Sequence, residues 1–568
     1  MNVRGRLTAA VLAVAMSGTA CAAGPSDPGA GRDAHGARTA TPGTARPTGA
    51  SGEFLVFYTQ GGRDAAARAV AASGGVVTGD EPRLGYLVAE LSAPEKLGTT
   101  PAIAGVTPDR RIGETASVPT PPPASPPASP TPAPSAATSG PAALADPLSG
   151  RQWDMKMIGA TATGSYAHPS ARGRRVLVGV IDTGIDGKHP DIAPNFNREL
   201  SRNFVTDRPK DANGKTFDGP CEAKDCKDPV DVDDDGHGTH VASTIGSPLN
   251  GIGVAGVAPE VSLVNIRAGT DSGYFFLKPT LDALTYAADI GVAVVNMSFY
   301  VDPWTFNCPN NPKDTPAERL EQRGIIEGMR RAVAYAHAHG VTLITAIGNS
   351  GTDLGHPAKD TASPDYPLGA EHERKVDNTC INVPAELEHV ISVSAVGPTE
   401  RKASYSDYGV EQTDIAAPGG DLFAKDGRLT GVGREILAAA PARALRQKGL
   451  VDARGVPQDP SVVRECPHGG TCAYYQYLEG TSMASPHAAG VAAIIVGRFG
   501  TPGKNGLKMD PAEVERILYE TAVPRPCPEP RAYKYAQNDV QTCEGGRDHN
   551  GFFGHGIVSA ARAATFTR

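Results

Sequence analysis

The stretch Gly480-Thr481-Ser482-Met483-Ala484-Ser485-Pro486-His487 sets a serine between a Gly-Thr pair and a run of small residues that suits a helix. Pro486 is tolerated there if the helix has only just begun, because first-turn N–H groups have no partner within a helix. Ser482 then stands at the positive end of a helix dipole, where a developing oxyanion is stabilised. The small Ala484 and Ser485 let such a helix lie close to a core. A serine hydroxyl alone is a weak nucleophile. The rest of the chain must supply a base, a group that orients it, and oxyanion donors.

Outward from this stretch, the chain from about residue 152 alternates short apolar runs with helical segments. Residues 176–181, 261–266, 292–297, 341–347 and 390–396 are short, apolar and rich in Val and Ile. Leu281, Leu284 and Ala288 share one helical face, and Ile325, Ile326, Met329 and Val333 mark another helix. Strands alternating with helices predict an α/β fold, a mostly parallel sheet with helices on both faces. Reactive residues are expected just past the carboxyl ends of its strands.

Three segments stand in such places. Asp182 follows residues 176–181, in Asp182-Thr183-Gly184-Ile185-Asp186. It is either a buried carboxylate that orients an imidazole or an ordinary strand-to-turn cap. His237 lies in Asp235-Gly236-His237-Gly238-Thr239-His240-Val241-Ala242, where a helix is expected to begin. It is either a general base, with glycines that admit a substrate backbone, or a surface histidine beside an acidic loop. His240, three residues along, fits a packed core histidine, since the Glu-containing zinc motif is absent. Asn349 follows residues 341–347 in Gly348-Asn349-Ser350-Gly351, as an oxyanion donor or a turn asparagine. Taken singly, Asp182 and Asn349 favour the plainer reading. Together, in the chain order Asp, His, Asn, Ser, the four segments resemble the subtilase family, the subtilisin-like serine endopeptidases, over roughly residues 152–563. The closing Gly554-His555-Gly556-Ile557-Val558-Ser559-Ala560 is similar to that family's usual ending.

The resemblance implies a subtilisin-like fold that hydrolyses peptide bonds, with Asp182 as orienter, His237 as base and Ser482 as nucleophile. It implies an oxyanion hole made by the Asn349 side chain and the Ser482 N–H. Acylation is then expected to rise with pH as His237 loses its proton, with a midpoint of roughly 6 to 7.5. The family binds a substrate backbone along a Ser-x-Gly stretch, which here reads Ser298-Phe299-Tyr300, so Tyr300 stands where Gly usually lines the pocket. Asp271-Ser272-Gly273-Tyr274 resembles the opposing strand, with Ser272 and Gly273 as contacts. No cofactor is required for the chemistry and no metal ligand is assigned. Calcium is common in the family and suits carboxylates, so it is kept as a candidate ligand with its site unassigned, because the acidic loop of Asp231, Asp233, Asp234 and Asp235 lacks calcium-loop spacing. An α/β hydrolase is excluded by chain order, because those enzymes place the nucleophile before the acid and base. The alternative function is a catalytically silent subtilase scaffold that binds peptides or cell-surface partners. The intact Asp182, His237, Asn349 and Ser482 argue against it.

The N-terminal part is organised differently. Arg4 and Arg6 precede a short apolar run at residues 7–16 and small residues at 17–20, which predicts an export signal over 1–22. Gly18-Thr19-Ala20-Cys21 resembles a bacterial lipoprotein box, although Gly18 replaces the usual Leu, and Ala20-Cys21-Ala22 equally fits an ordinary cleavage site. Membrane attachment is expected only if Cys21 is lipidated. Residues 23–52 have almost no large apolar side chains, which predicts a disordered tail. Residues 53–115 are expected to form a small α+β unit of order β-α-β-β-α-β, which resembles the family's inhibitory prosegment. A Pro/Ala/Ser-rich linker at 116–150, cut during maturation, precedes the catalytic domain at 151–568. Of the nine Cys, eight follow Cys21, an even set that suits disulfides in an exported chain. The sequence does not fix their connectivity; Cys221–Cys226, Cys466–Cys472 and Cys527–Cys543 are candidate local pairs, which would leave Cys308–Cys380. A net charge of -8 and the lack of a basic patch argue against a nucleic-acid partner. The expected partners of this monomer are a protein or peptide substrate and its own prosegment. The expected location is extracellular, secreted or lipid-anchored at the outer face of the cell membrane, in a bacterium whose Ala, Gly, Arg and Pro usage points to a GC-rich genome.

Overall fold

The structure is a computed structural model that describes residues 52–110, 145–422, 429–466, 471–536 and 539–568. The expected signal with Cys21, nearly all of the expected tail and most of the linker lie outside the described residues. Among those described, no helix is long and apolar enough to cross a membrane.

The first described unit is the expected small α+β body. Strands β1 (Gly52–Tyr58), β2 (Val76–Glu81), β3 (Tyr86–Leu91) and β4 (Ile103–Pro108) form an antiparallel sheet in the order β2-β3-β1-β4. Helix α1 (Arg63–Ala72) follows β1, and its buried Ala66 and Val70 close a core with Val56, Leu87 and Leu91. The second predicted helix is a 3-10 turn over Pro94–Thr99. The sheet lies on helix α5 (Pro316–Ala338), where an added Cβ on Gly105 would stand 2.3 Å from the Gly324 nitrogen. The Arg331 guanidinium donates to the carbonyls of Leu84 (2.9 Å), Gly85 (2.7 Å) and Tyr58 (2.7 Å), which anchors the unit's open end.

The main body is built on seven parallel strands: β5 (Leu177–Ile181), β6 (Arg202–Asn203), β7 (Ser262–Arg267), β8 (Val294–Met297), β9 (Thr342–Ala346), β10 (Val390–Val396) and β11 (Ile415–Pro418). Their order is β11-β10-β9-β8-β5-β7-β6. The five apolar runs of the sequence are its centre. Such runs are apolar throughout because alternate side chains enter opposite cores. On β5, Val178 and Val180 share a core with Met155 and Ile158 of α2 (Trp153–Ile158), Val241 and Ile245 of α3 (His237–Gly246) and Ile494 of α6 (Thr481–Phe499). Leu177 and Ile181 face the other core, with Leu281 and Leu284 of α4 (Leu277–Ile290) and with Ile325 and Met329 of α5. A separate antiparallel sheet orders Ile436–Ala439, Ala473–Leu478 and Val462–Glu465. All four expected disulfides are formed.

Pro486 departs from the sequence reading. It lies in the second turn of α6, not the first. Lacking an N–H, it cannot bond the carbonyl four residues back, that of Ser482. The Ser298 hydroxyl donates to that carbonyl instead, at 3.1 Å. The helix thus tolerates proline beside its first turn because the end of β8 supplies the missing donor.

Candidate active site

Strands β5 and β8 are neighbours, with Ile181 opposite Met297. The next residues, Asp182 and Ser298, therefore leave the sheet side by side at its carboxyl edge. Asp182 is fully buried, and its Oδ1 accepts from the Thr183 N–H at 2.8 Å and from His237 Nδ1 at 2.7 Å. His237 opens α3 directly after Gly236, whose φ of 99° is one that L side chains rarely adopt. The neighbouring Gly238 serves packing and not the approach of a substrate expected from the sequence. A Cβ there would stand 2.1 Å from the Gly184 carbonyl and 3.0 Å from Asp182 Cβ.

The acidic loop has a structural task. Asp233 Oδ1 accepts from Thr183 Oγ1 (3.0 Å) and the Gly236 N–H (2.8 Å), and its Oδ2 accepts from the Thr239 N–H (2.9 Å) and hydroxyl (2.6 Å). One buried carboxylate thereby clamps the Asp182 turn to the start of the His237 helix. Asp231 pairs with Lys188 and Arg198, Asp234 with Arg443, and Asp235 with Lys448.

The imidazole of His237 is pulled two ways. Burial disfavours its charged form, while the Asp182 carboxylate, by charge and by hydrogen bond, favours it, with help from Asp235 and Asp233. The carboxylates win and raise its pKa to about 9. The pH midpoint expected from the sequence is therefore moved upward. His240 is the contrasting case. It is fully buried, its Nε2 lies 3.0 Å from the carbonyls of Ile436 and Gln476, and burial pushes it down to about 3. It is the core histidine that the sequence predicted.

On the other side, Ser482 opens α6 one residue after Thr481, and its hydroxyl donates to the Ser298 carbonyl at 3.2 Å. Asn349, just beyond β9, is exposed. Its Oδ1 accepts both the N–H and the hydroxyl of Thr481, each at 2.8 Å. That fixes the amide plane and leaves its Nδ2 as the donor beside the Ser482 turn.

The residues expected to contact substrate have partners within the protein. Ser298 is buried, with its hydroxyl 2.8 Å from Ser485 Oγ and 2.8 Å from Asn296 Nδ2. Its side chain braces α6 and leaves only backbone for a ligand. Phe299 stacks on Phe275 at 4.2 Å, and the Tyr300 hydroxyl donates to Asp365 Oδ2 at 2.6 Å. Ser272 and Gly273 form a tight turn and not a strand, closed by the Gly273 N–H on the Thr270 carbonyl at 2.9 Å. The Ser272 N–H donates to Asp218 at 3.0 Å.

Arg267, at the end of β7, holds this turn in register. It is fully buried and reaches Asp228 (2.6 Å), Asp207 (2.7 Å) and Asp271 (3.0 Å). Asp207, Asp228 and Asp271 are also close enough together for a cation. The guanidinium already fills that role, so these residues do not fit calcium. Arg267→Met removes the charge that compensates these three carboxylates at once. It is expected to cost about 3–5 kcal/mol, measured as a lowered urea midpoint. An unchanged midpoint would show that the network contributes nothing net.

A parallel sheet whose edge carries an Asp–His pair beside a helix-borne serine defines a class of protein, the serine hydrolases with chain order Asp, His, Ser. The subtilase family profile matches residues 173–556. The chain belongs to the subtilase family. It is 27% identical over 346 residues to the thermophilic serine proteinase of Bacillus sp. (strain AK1), covering 61% of this chain and 56% of that one. It is 27% identical over 330 residues to subtilisin DY of Bacillus licheniformis, covering 58% and 80%. The chain thus spans little more than half of the first relative and four-fifths of the second. Among solved structures, the epidermin leader peptide processing serine protease of Staphylococcus aureus superposes with a TM-score of 0.55 at 19% identity, over 91% of this chain and 99% of that one. Fervidolysin of Fervidobacterium pennivorans gives 0.51 at 21%, over 91% and 61%. At such identities these two structures speak for the fold alone.

Proposed function

We propose that the protein is an exported serine endopeptidase made as a proenzyme, which cleaves peptide bonds through an acyl-enzyme. The 2.7 Å bond between Asp182 and His237 carries the reading, because it fixes the ring and stabilises its charged form. The Ser482 hydroxyl turns from the Ser298 carbonyl toward His237, loses its proton to the ring and attacks the peptide carbonyl. Asn349 Nδ2 and the Ser482 N–H hold the resulting oxyanion. His237 then protonates the leaving amine, and water repeats the sequence to release the acyl group. The chemistry needs no cofactor.

Asn349→Ala is expected to lower kcat by about 10²–10³ with little change in KM, because the donor acts on the oxyanion and not on the bound peptide. An equal loss carried by KM would assign Asn349 to substrate binding.

In this reading residues 53–115 are the prosegment, seated on α5, and the linker is cut to release it. The signal at 1–22 exports the chain, and lipidation of Cys21 would anchor it to the membrane. The test is reaction with a serine-directed phosphonate, followed by N-terminal sequencing of the labelled species. Labelling at Ser482 of a species that lacks residues 53–115 supports both parts. A fully active chain that keeps Phe54 attached removes the prosegment role.

A further inference from the structure

We propose that Asp302, Asp365 and Glu321, with the rings of Phe276 and Tyr366, form a subsite for a basic side chain, so that the preferred substrates are peptides with an arginine or lysine near the scissile bond. This rests on the endopeptidase reading above.

The occupant of that subsite in the present structure is Arg110, two residues past β4 of the N-terminal unit. Its side chain is only 16% exposed. The guanidinium lies 5.8 Å from the centre of the Phe276 ring and 5.7 Å from that of Tyr366, within cation–π range of both. It also pairs with Glu321, near the start of α5. Side chains that meet a cation with two aromatic faces and an acid make a built pocket, not a chance surface contact.

Two further acids face the same place. Tyr300 donates to one oxygen of Asp365, and the same carboxyl shares a hydrogen bond with Asp302. Asp302 is buried, and its carboxylate accepts the Phe275 N–H. Burial, and then the Asp365 carboxyl, hold Asp302 well above the usual carboxylate range, while the Arg110 charge pulls both acids down. Two buried carboxyls this close share a proton, which Asp302 holds, and the charge left on Asp365 joins that of Glu321 in meeting a cation. Arg110 supplies it while the N-terminal unit is docked. Once that unit leaves, the pocket is left acidic and aromatic, a setting that favours a cationic side chain of the substrate.

The position along the substrate follows from chain geometry. Asp302 is four residues beyond Ser298, whose carbonyl holds the Ser482 hydroxyl. At ~3.3 Å per extended residue the two ends of that segment are at most ~13 Å apart, so the basic residue lies within about four residues of the cleaved bond.

The test uses the self-processed enzyme and pairs of peptides that differ only by arginine or its neutral isostere citrulline at one position. Within about four residues of the scissile bond, one position should show an arginine-to-citrulline ratio of kcat/KM of about ten or more. That ratio should collapse toward one in Asp365→Asn and in Glu321→Gln. Hydrolysis of both peptides with equal efficiency at every position overturns the subsite and leaves the peptidase standing. Failure to cut any peptide, with no phosphonate on Ser482, overturns the peptidase reading and the subsite with it. A ratio that survives both variants assigns the preference to other residues and overturns this pocket.

Discussion

Ser482→Ala is expected to lower kcat/KM for peptide hydrolysis by a factor on the order of 10⁶, the loss that removal of such a nucleophile produces in enzymes of the subtilisin type. The size follows from what remains. In the proposed mechanism the Asn349 Nδ2 and the N–H of residue 482 remain to hold an oxyanion, but no atom is left to form the acyl-enzyme. Only the residual acceleration from binding and the oxyanion hole persists. Stability should hardly move. The lost hydroxyl makes one 3.2 Å bond, to the Ser298 carbonyl, and alanine is the better helix former. The measurements are peptide turnover, phosphonate labelling and a melting curve on the same preparation. Labelling and turnover that persist in the variant would place the nucleophile elsewhere. A large drop in melting temperature would mean that Ser482 is chiefly a structural residue. If the linker is cut by the enzyme's own Ser482, as proposed, the variant should also keep its N-terminal unit. A linker that is still cut would point to a second protease.

The parts of the site that could be read from the sequence are those tied to a strand end. Asp182, Ser298 and Asn349 each follow an apolar run, and such runs declare themselves because both faces of the sheet are buried. The two edge strands, β6 and β11, escape that reading. Arg202–Asn203 has two polar residues and Ile415–Pro418 ends in proline, since an edge strand needs neither length nor two apolar faces. The bracing of the site is legible only in space. Asp233 sits in an acidic run that reads as a solvated loop, yet it binds Thr183, Gly236 and Thr239 at once. The Ser298 hydroxyl compensates a missing N–H 188 residues later, at Pro486, which no local pattern announces. Tyr300 shows the same limit. Its place in the Ser-x-Gly stretch warns of a changed pocket, but its partner, Asp365, is 65 residues away.

Asp182→Asn carries the second large effect, and it moves both rate and pH dependence. In the parent, the carboxylate at 2.7 Å holds His237 raised to about 9. Acylation needs the neutral ring, so kcat/KM should climb with pH and level off only above about 9. The same shift stabilises the fold in the opposite sense. The contribution of the charged pair is fully present below the ordinary histidine value of 6.5 and is lost as pH rises through about 9. An asparagine keeps the shape but removes the charge. Burial, which now acts with less opposition, lowers the His237 pKa, so the activity midpoint should fall well below that of the parent. The plateau should fall too, by about 10⁴, because an amide favours the wrong tautomer of the ring and does not stabilise the imidazolium that forms on proton transfer. Rate profiles from pH 5 to 11 on one peptide separate the two effects. If the midpoint stays where it is in the parent, His237 is not the titrating base. If the plateau survives while the midpoint falls, Asp182 sets the charge of the ring without orienting it.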